Sequence, residues 1–176
     1  SLVFPPISMG AHVSVAPNHQ VGRMTPLHTR AVTAMAGTFG YELDICHLTD
    51  EEKEEVARQV AFYKEIRPTI QWGTFTRLLS PFEGNETAWM FQSEDKTQVV
   101  VMYYKTLAEQ AAPIRILRLA GLDEDALYTV RRYQGATPMA HDAIAGTWAL
   151  SLEGRSFYGD ELMYAGMAVE KVDADF

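Results

Sequence analysis

The sequence predicts two segments of different fold class, an α/β segment over residues 1–70 and an antiparallel all-β segment over residues 71–176. Two observations carry this reading. Before Arg67-Pro68, apolar residues at helical spacing alternate with short apolar runs, whereas from Gln71 onward short β-type stretches are punctuated by turn residues. The 47% hydrophobic content of 176 residues is enough for a core in one domain or in two small ones.

In the first segment, Leu2-Val3-Phe4 is an apolar run stopped by Pro5-Pro6, which suits a strand buried on both faces. Thr25-Pro26 reads as an N-cap followed by proline at the first helical position, where the missing N–H costs nothing. Leu27, Ala31, Ala34 and Met35 then share one face, and Gly37 is the expected terminator. Phe39 to Ile45 is the next strand candidate. Thr49 and Glu52 form a capping box, and Asp50 to Glu55 crowd carboxylates at the positive end of a helix dipole. That helix is predicted over Asp50 to Arg67, stopped by Pro68, with Val56, Val60, Tyr63 and Ile66 as its buried face. Strand, helix, strand, helix is the unit of a parallel α/β fold, and two such units make a quarter of an eight-stranded (β/α)8 TIM barrel. A quarter barrel leaves strand edges and apolar helix faces without neighbours, so the pattern predicts part of a larger protein.

In the second segment, Ala88 to Gln92 and Gln98 to Lys105 flank the polar break Ser93-Glu94-Asp95-Lys96, as in a hairpin. Ile114, Ile116 and Leu119 begin a run ending at Gly121, and Leu127 to Val130 and Thr147 to Leu152 continue the series. Such spacing predicts an antiparallel β-sandwich.

The formal charge of −8 argues against a nucleic-acid surface, and Arg131-Arg132 reads as a solvated strand end. No apolar run of about 20 residues speaks for a membrane span. Cys46 is the only cysteine, so no intramolecular disulfide is possible, and with no signal peptide visible the expectation is a cytoplasmic protein. His12, His19, His28 and His47, with Asn18 nearby, lack metal-ligand spacing, and Ser8 and Ser14 lack a Gly-x-Ser-x-Gly context. Glu42 and Asp44 are the carboxylates that could serve glycoside chemistry, as an i, i+2 pair on one strand face; the other reading is loop anchoring. Trp72, Trp89 and Trp148 could stack on a sugar, but in strands tryptophan more often fills a core, and Trp72 is placed where the two segments should meet.

The runs Met9-Gly10-Ala11-His12-Val13-Ser14, Pro17-Asn18-His19-Gln20 and Phe39-Gly40-Tyr41-Glu42-Leu43-Asp44 occur in this order. Ala61-Phe62-Tyr63-Lys64, Leu78-Leu79-Ser80-Pro81-Phe82 and Gly159-Asp160-Glu161-Leu162-Met163 follow them. Together they resemble the microbial α-galactosidases of glycoside hydrolase family 36, over nearly the whole chain. The resemblance implies a C-terminal piece of such an enzyme: the end of the catalytic barrel (1–70) and a C-terminal β-sandwich (71–176). The parent would hydrolyse terminal α-galactosides, melibiose and raffinose-type oligosaccharides, by a retaining mechanism, with no cofactor or metal, as a homo-oligomer. In that family the nucleophile is an aspartate in a Lys-Trp-Asp context and the acid/base an aspartate on a later loop. No Lys-Trp-Asp occurs here, so both are expected upstream of Ser1 and this chain alone is predicted inactive. His12, Asn18, Glu42 and Asp44 remain as candidates to hold the groups around the sugar. Alternatives from other classes are a free-standing carbohydrate-binding β-sandwich without catalysis and a small hydrolase using Glu42 and Asp44.

Overall fold

The computed structural model describes residues 3–107, 114–133 and 152–169. The chain divides between Gly73 and Thr74 into two compact units.

The first unit is built on two parallel strands, β1 (Gly10–Ser14) and β2 (Thr38–Glu42), with Gly10 opposite Thr38 and Ser14 opposite Glu42. Parallel neighbours need a crossover, and α1 (Leu27–Ala34) lies on the connection between them. Helix α2 (Asp50–Trp72) follows a 3-10 turn at Ile45–His47. The apolar face read for α1 is the buried one: Leu27, Ala31, Ala34 and Met35 are all inside. The cap of α2 is also as read, with Glu52 N–H donating to the Thr49 hydroxyl and Thr49 N–H to the Glu52 carboxylate.

Four details differ from the expectations. Of the Leu2-Val3-Phe4 run, Leu2 lies outside the described residues, while Val3 and Phe4 form no strand: they are 82% and 68% exposed, and the chain passes into a 3-10 turn at Pro6–Ser8 before β1 begins. The strand forms instead where β2 can dock, and the docking starts at Thr38, whose N–H donates to the Met9 carbonyl (2.8 Å) and whose hydroxyl donates to that of Ile7 (2.9 Å). Pro26 rather than Thr25 stands at the N-cap position of α1, with no side-chain cap; its carbonyl accepts from Arg30 N–H, and the Arg30 side chain donates to the Thr25 carbonyl. Gly37 is not a left-handed terminator. A Cβ there would sit 2.6 Å from the Met9 carbonyl oxygen, so glycine permits the close approach of the loop to the start of β1.

The fourth difference is α2 itself, which runs through Pro68 to Trp72. An interior proline forfeits one helical hydrogen bond and costs about 3 kcal/mol. Burial of Ile66, Thr69 and Ile70 on either side of it offsets that loss and holds the last turn. The buried face is also rotated from the one expected: Glu55, Gln59, Tyr63 and Ile66 are inside, while Val56 and Val60 are only half-buried. Hydrogen bonds explain the rotation. Gln59 donates its amide to Glu55 (2.7 Å) and accepts from the Tyr41 hydroxyl (2.5 Å), and the Tyr63 hydroxyl donates to the Gly37 carbonyl (2.7 Å). Phe39 packs between the rings of Tyr41 and Tyr63, at centroid distances of 5.2 and 4.9 Å. Helix and strand are thus joined by a polar and aromatic seam.

The second unit is antiparallel throughout its described residues. Strands β3 (Thr74–Leu79), β4 (Glu86–Gln92) and β5 (Val99–Lys105) form a meander. The β4–β5 turn is the predicted break: Lys96 takes φ 59°, and Asp95 accepts from the Ser93 and Thr97 hydroxyls and from Thr97 N–H. Two short pairs follow among the described residues, β6 (Arg115–Leu117) with β9 (Met167–Val169) and β7 (Leu127–Thr129) with β8 (Ser156–Tyr158). Strands β3, β8 and β9 have no counterpart in the sequence reading, and most of the Thr147–Leu152 candidate lies outside the described residues. One core joins the meander to the short pairs: Ala88 and Met90 of β4, Leu117 of β6, Leu119, Leu122 and Leu162. Two glycines permit it. A Cβ on Gly159 would overlap the Asp123 carbonyl, and Gly166 takes φ 79° beneath Ile116 and Leu117.

Candidate active-site rim

In parallel α/β folds ligands bind at the carboxyl ends of the strands, which here are Ser14 of β1 and Glu42 of β2. Side chains alternate along each strand. Val13, Phe39 and Tyr41 turn toward the buried side, which leaves His12 and Ser14 on the other face with Thr38, Gly40 and Glu42. On that face His12 Nε2 lies 2.8 Å from Glu42 Oε2. The contact is diagonal, since the residue directly opposite His12 is Gly40, which has no side chain in the way. The pair is exposed, so it contributes at most about 1 kcal/mol, but it ties the two strand ends together.

Asp44 does not join them. Strand β2 stops at Glu42, and Asp44 instead caps the 3-10 turn, accepting from Cys46 N–H at 2.9 Å. That hydrogen bond, with a smaller contribution from His47, whose Nδ1 is 3.8 Å away, holds the Asp44 carboxyl below its usual range. Glu42 and Asp44 therefore do not share a strand face as expected; each is anchored locally, one across the sheet and one along the chain.

Asn18 organises the loop after β1. Its side-chain oxygen accepts from Gln20 and Val21 N–H (3.0 and 3.1 Å), its carbonyl from Gly22 N–H, and its own N–H donates to the Arg23 carbonyl. Gly22 supplies the φ of 66° that closes the turn. Arg30 buttresses the loop from below, donating to the Thr25 carbonyl at 2.9 Å and to that of Ser14. Burial lowers the Arg30 pKa, opposed by attraction to Glu52 and Glu55 of α2. The sequence reading missed Arg30. Its signal was position: three residues after Leu27 and four before Ala34, it borders the buried face of α1. Between these parts lies a half-open cavity of about 310 Å³, lined by Ser14, Val15, Asn18, Gln20, Val21, Arg23, Thr25 and Arg30.

The remaining candidates are scattered. His19 and His47 are exposed and His28 is half-buried on α1. Among the described residues no three His, Cys, Asp or Glu side chains gather as metal ligands, and no helix is long and apolar enough to cross a membrane. The Ser8 hydroxyl donates to the Pro5 carbonyl. Trp72 is 74% exposed at the end of α2, Trp89 stacks on Tyr104 at 4.9 Å, and Trp148 lies outside the described residues. Arg131 and Arg132 are exposed.

Residues 1–73 match the family described as Melibiase, and residues 86–176 match the glycosyl hydrolase family 36 C-terminal domain. Alpha-galactosidase AgaA of Geobacillus stearothermophilus is 50% identical over the whole of this chain, which covers 21% of AgaA. The bifunctional alpha-galactosidase/sucrose kinase AgaSK of Mediterraneibacter gnavus is 42% identical over 98% of this chain and 19% of its own length. The crystal structure of the GH36 alpha-galactosidase AgaA superposes with a TM-score of 0.82 at 49% identity, covering 99% of this chain and 21% of that one. An AgaA variant, A355E D548N, has been crystallised in complex with raffinose and superposes with a TM-score of 0.80 at 47% identity, over 99% of this chain and 21% of its own. The chain thus spans about a fifth of the length of the relatives it matches.

Proposed function

Because the chain belongs to glycosyl hydrolase family 36, we propose that it is the C-terminal part of a retaining α-galactosidase. Residues 1–70 would close the catalytic (β/α)8 barrel and residues 71–176 would form a β-sandwich domain. The parent would release terminal α-galactosyl units from melibiose and raffinose-type oligosaccharides. The observation that carries this reading is the unbroken similarity of both units, in order, to one kind of enzyme. The parallel β1–β2 pair supports the barrel, since parallel strands with helices on one face are its repeating part. The shared core of the meander and the short pairs supports the sandwich.

Retaining hydrolysis needs two carboxyl groups about 5–5.5 Å apart, one attacking the anomeric carbon and the other protonating the leaving oxygen and then activating water. Neither role falls to Glu42 or Asp44, whose carboxylates are committed to His12 and to the Cys46 amide. We assign this chain the task of support: the His12–Glu42 pair holds the ends of β1 and β2, Asn18 holds the loop after β1, and Asp44 holds the loop after β2. The reacting carboxylates belong to earlier barrel strands.

The test is hydrolysis of an aryl α-galactoside by the whole enzyme and by this chain alone. The whole enzyme should release the phenol and the chain should not exceed buffer. Turnover by the chain that vanishes on Glu42→Ala or Asp44→Ala would overturn the assignment in favour of a small autonomous hydrolase.

A further inference from the structure

One side chain closes the loop that follows β1. The Arg30 guanidinium donates from Nη1 to the carbonyl of Ser14, the last residue of β1, and from Nε to the Thr25 carbonyl at 2.9 Å, just ahead of α1. The chain between these carbonyls, residues 15–24, is thereby pinned at both ends to one planar group. Its tip is pinned separately. Asn18 accepts, through its side chain and its carbonyl, from Gln20, Val21 and Gly22 N–H, and its own N–H donates to the Arg23 carbonyl. Donor and acceptors of the Arg30 clamp all lie within residues 14–30, so it is complete in one strand–loop–helix unit.

Neither regular element needs this clamp. Strand β1 is paired in register with β2, and α1 has its own backbone bonds, beginning with Arg30 N–H to the Pro26 carbonyl. What the clamp restrains is the loop, whose backbone would otherwise sample many conformations. The guanidinium is itself held. It is half-buried where Glu52 and Glu55 of α2 attract it, and Glu55 is in turn fixed by the Gln59 amide at 2.7 Å. A lysine could not replace it, because an ammonium is one point on a flexible stem with no donor at the place of Nε.

Loops at the carboxyl ends of barrel strands build the mouth at which a barrel receives its ligand. A mouth loop ordered in advance spares binding the cost of ordering it. We propose that Arg30 is a positioning residue for substrate binding, holding the loop after β1 in the arrangement that receives the α-galactoside. The proposal rests on the α-galactosidase reading above. Arg30 acts through the loop backbone and not on the reacting atoms. Without it the receptive arrangement is populated in only a fraction of molecules, and the apparent dissociation constant rises by the inverse of that fraction. Bound substrate draws the loop back, so bond cleavage at saturation is spared.

The experiment compares the whole enzyme with its Arg30→Ala and Arg30→Lys variants on melibiose. The alanine variant loses two charge-assisted hydrogen bonds, so KM should rise about tenfold while kcat stays within about twofold. Amide exchange in residues 15–24 should quicken, with β1 and α1 still protected. Arg30→Lys keeps the charge beside Glu52 and Glu55 but not the two-pronged donor, so its KM should remain raised at least about threefold. If the alanine variant does not fold, the lysine variant carries both readouts. An unchanged KM with a quickened loop would reduce the clamp to a structural tie, and a fall in kcat at constant KM would place its effect on the chemical step; either overturns the proposal. So does a lysine variant with the KM of the unsubstituted enzyme. A whole enzyme that hydrolyses no α-galactoside defeats the functional reading instead, and unaltered exchange at residues 15–24 in the variants then overturns the clamp.

Discussion

Glu86 should be the most sensitive single charge in the second unit. It stands at the start of β4 with a largely buried side chain, where it accepts from the Tyr103 hydroxyl of β5 (2.6 Å) and pairs with the Arg115 guanidinium of β6. One carboxylate thus fastens the meander to the β6–β9 pair. Burial would raise its pKa, but the hydrogen bonds from Tyr103 and Arg115 outweigh that and hold it below the usual carboxylate range. Burial and the same carboxylate push the Tyr103 hydroxyl well above its ordinary value. Glu86→Gln keeps an acceptor for Tyr103 but turns a charge-assisted bond into a neutral one, a loss of about 1 kcal/mol. Arg115 loses its anion as well; being half exposed it recovers water, so that term is about 0.5–1 kcal/mol. The sum, about 2 kcal/mol, corresponds to a fall in Tm of roughly 8–16 °C for a unit of this size. The assay is thermal and urea unfolding followed by Trp89, which stacks on Tyr104 in the same sheet, with Trp72 and Trp148 replaced by Phe. The sign with pH is defined, because a depressed folded pKa contributes stability above the unfolded value of about 4.3 and loses it as pH falls through the folded value. The gap between the two proteins should therefore be full at about pH 7 and close as acid carries the pH below the unfolded value and through the lower folded one. A gap under about 0.5 kcal/mol at neutral pH, or one unchanged by acid, would refute the reasoning, the latter pointing to packing rather than charge.

Gln59→Ala should destabilise the first unit by about 2–3 kcal/mol in urea unfolding, since Gln59 is fully buried and its loss removes the acceptor of the Tyr41 hydroxyl and the donor to the buried Glu55 carboxylate. Thr49→Ala should cost about 1 kcal/mol through the capping box and shorten α2 at its N-terminus, visible as faster amide exchange at Glu52. Pro68→Ala should stabilise α2 by about 1 kcal/mol or more, because alanine restores a helical donor; a loss of stability would show that the proline ring itself packs. The isolated chain should self-associate through the first unit, where Val3, Phe4 and the outer edges of β1 and β2 are uncovered in the described residues. Sedimentation at about 100 µM is the check, with residues 71–176 alone as the monomeric comparison.

Features set by chemistry a few residues apart were legible in the residues. The Thr49–Glu52 box, the apolar face of α1 and the Ser93–Lys96 hairpin each depend on side chains within one or two turns of each other, and the structure places them where the sequence does. The motif series also pointed to the family before any fold was in view. What depends on a partner distant in the chain was not legible. The first described strand lies at Gly10–Ser14 and not at Val3-Phe4 because strands form where a register exists, and among the described residues of this unit β2 supplies it. Helix α2 turned its Glu55–Gln59 edge inward and ran through Pro68, because hydrogen bonds to Tyr41 and burial around Ile70 outweigh local periodicity and a breaker. Glu42 and Asp44 looked equivalent in sequence and separated in space once β2 ended between them. Arg30 became a functional candidate only when its guanidinium met the Ser14 carbonyl sixteen residues earlier in the chain. Short-range chemistry carries its own address in the sequence, whereas a long-range contact exists only after the chain has folded back on itself.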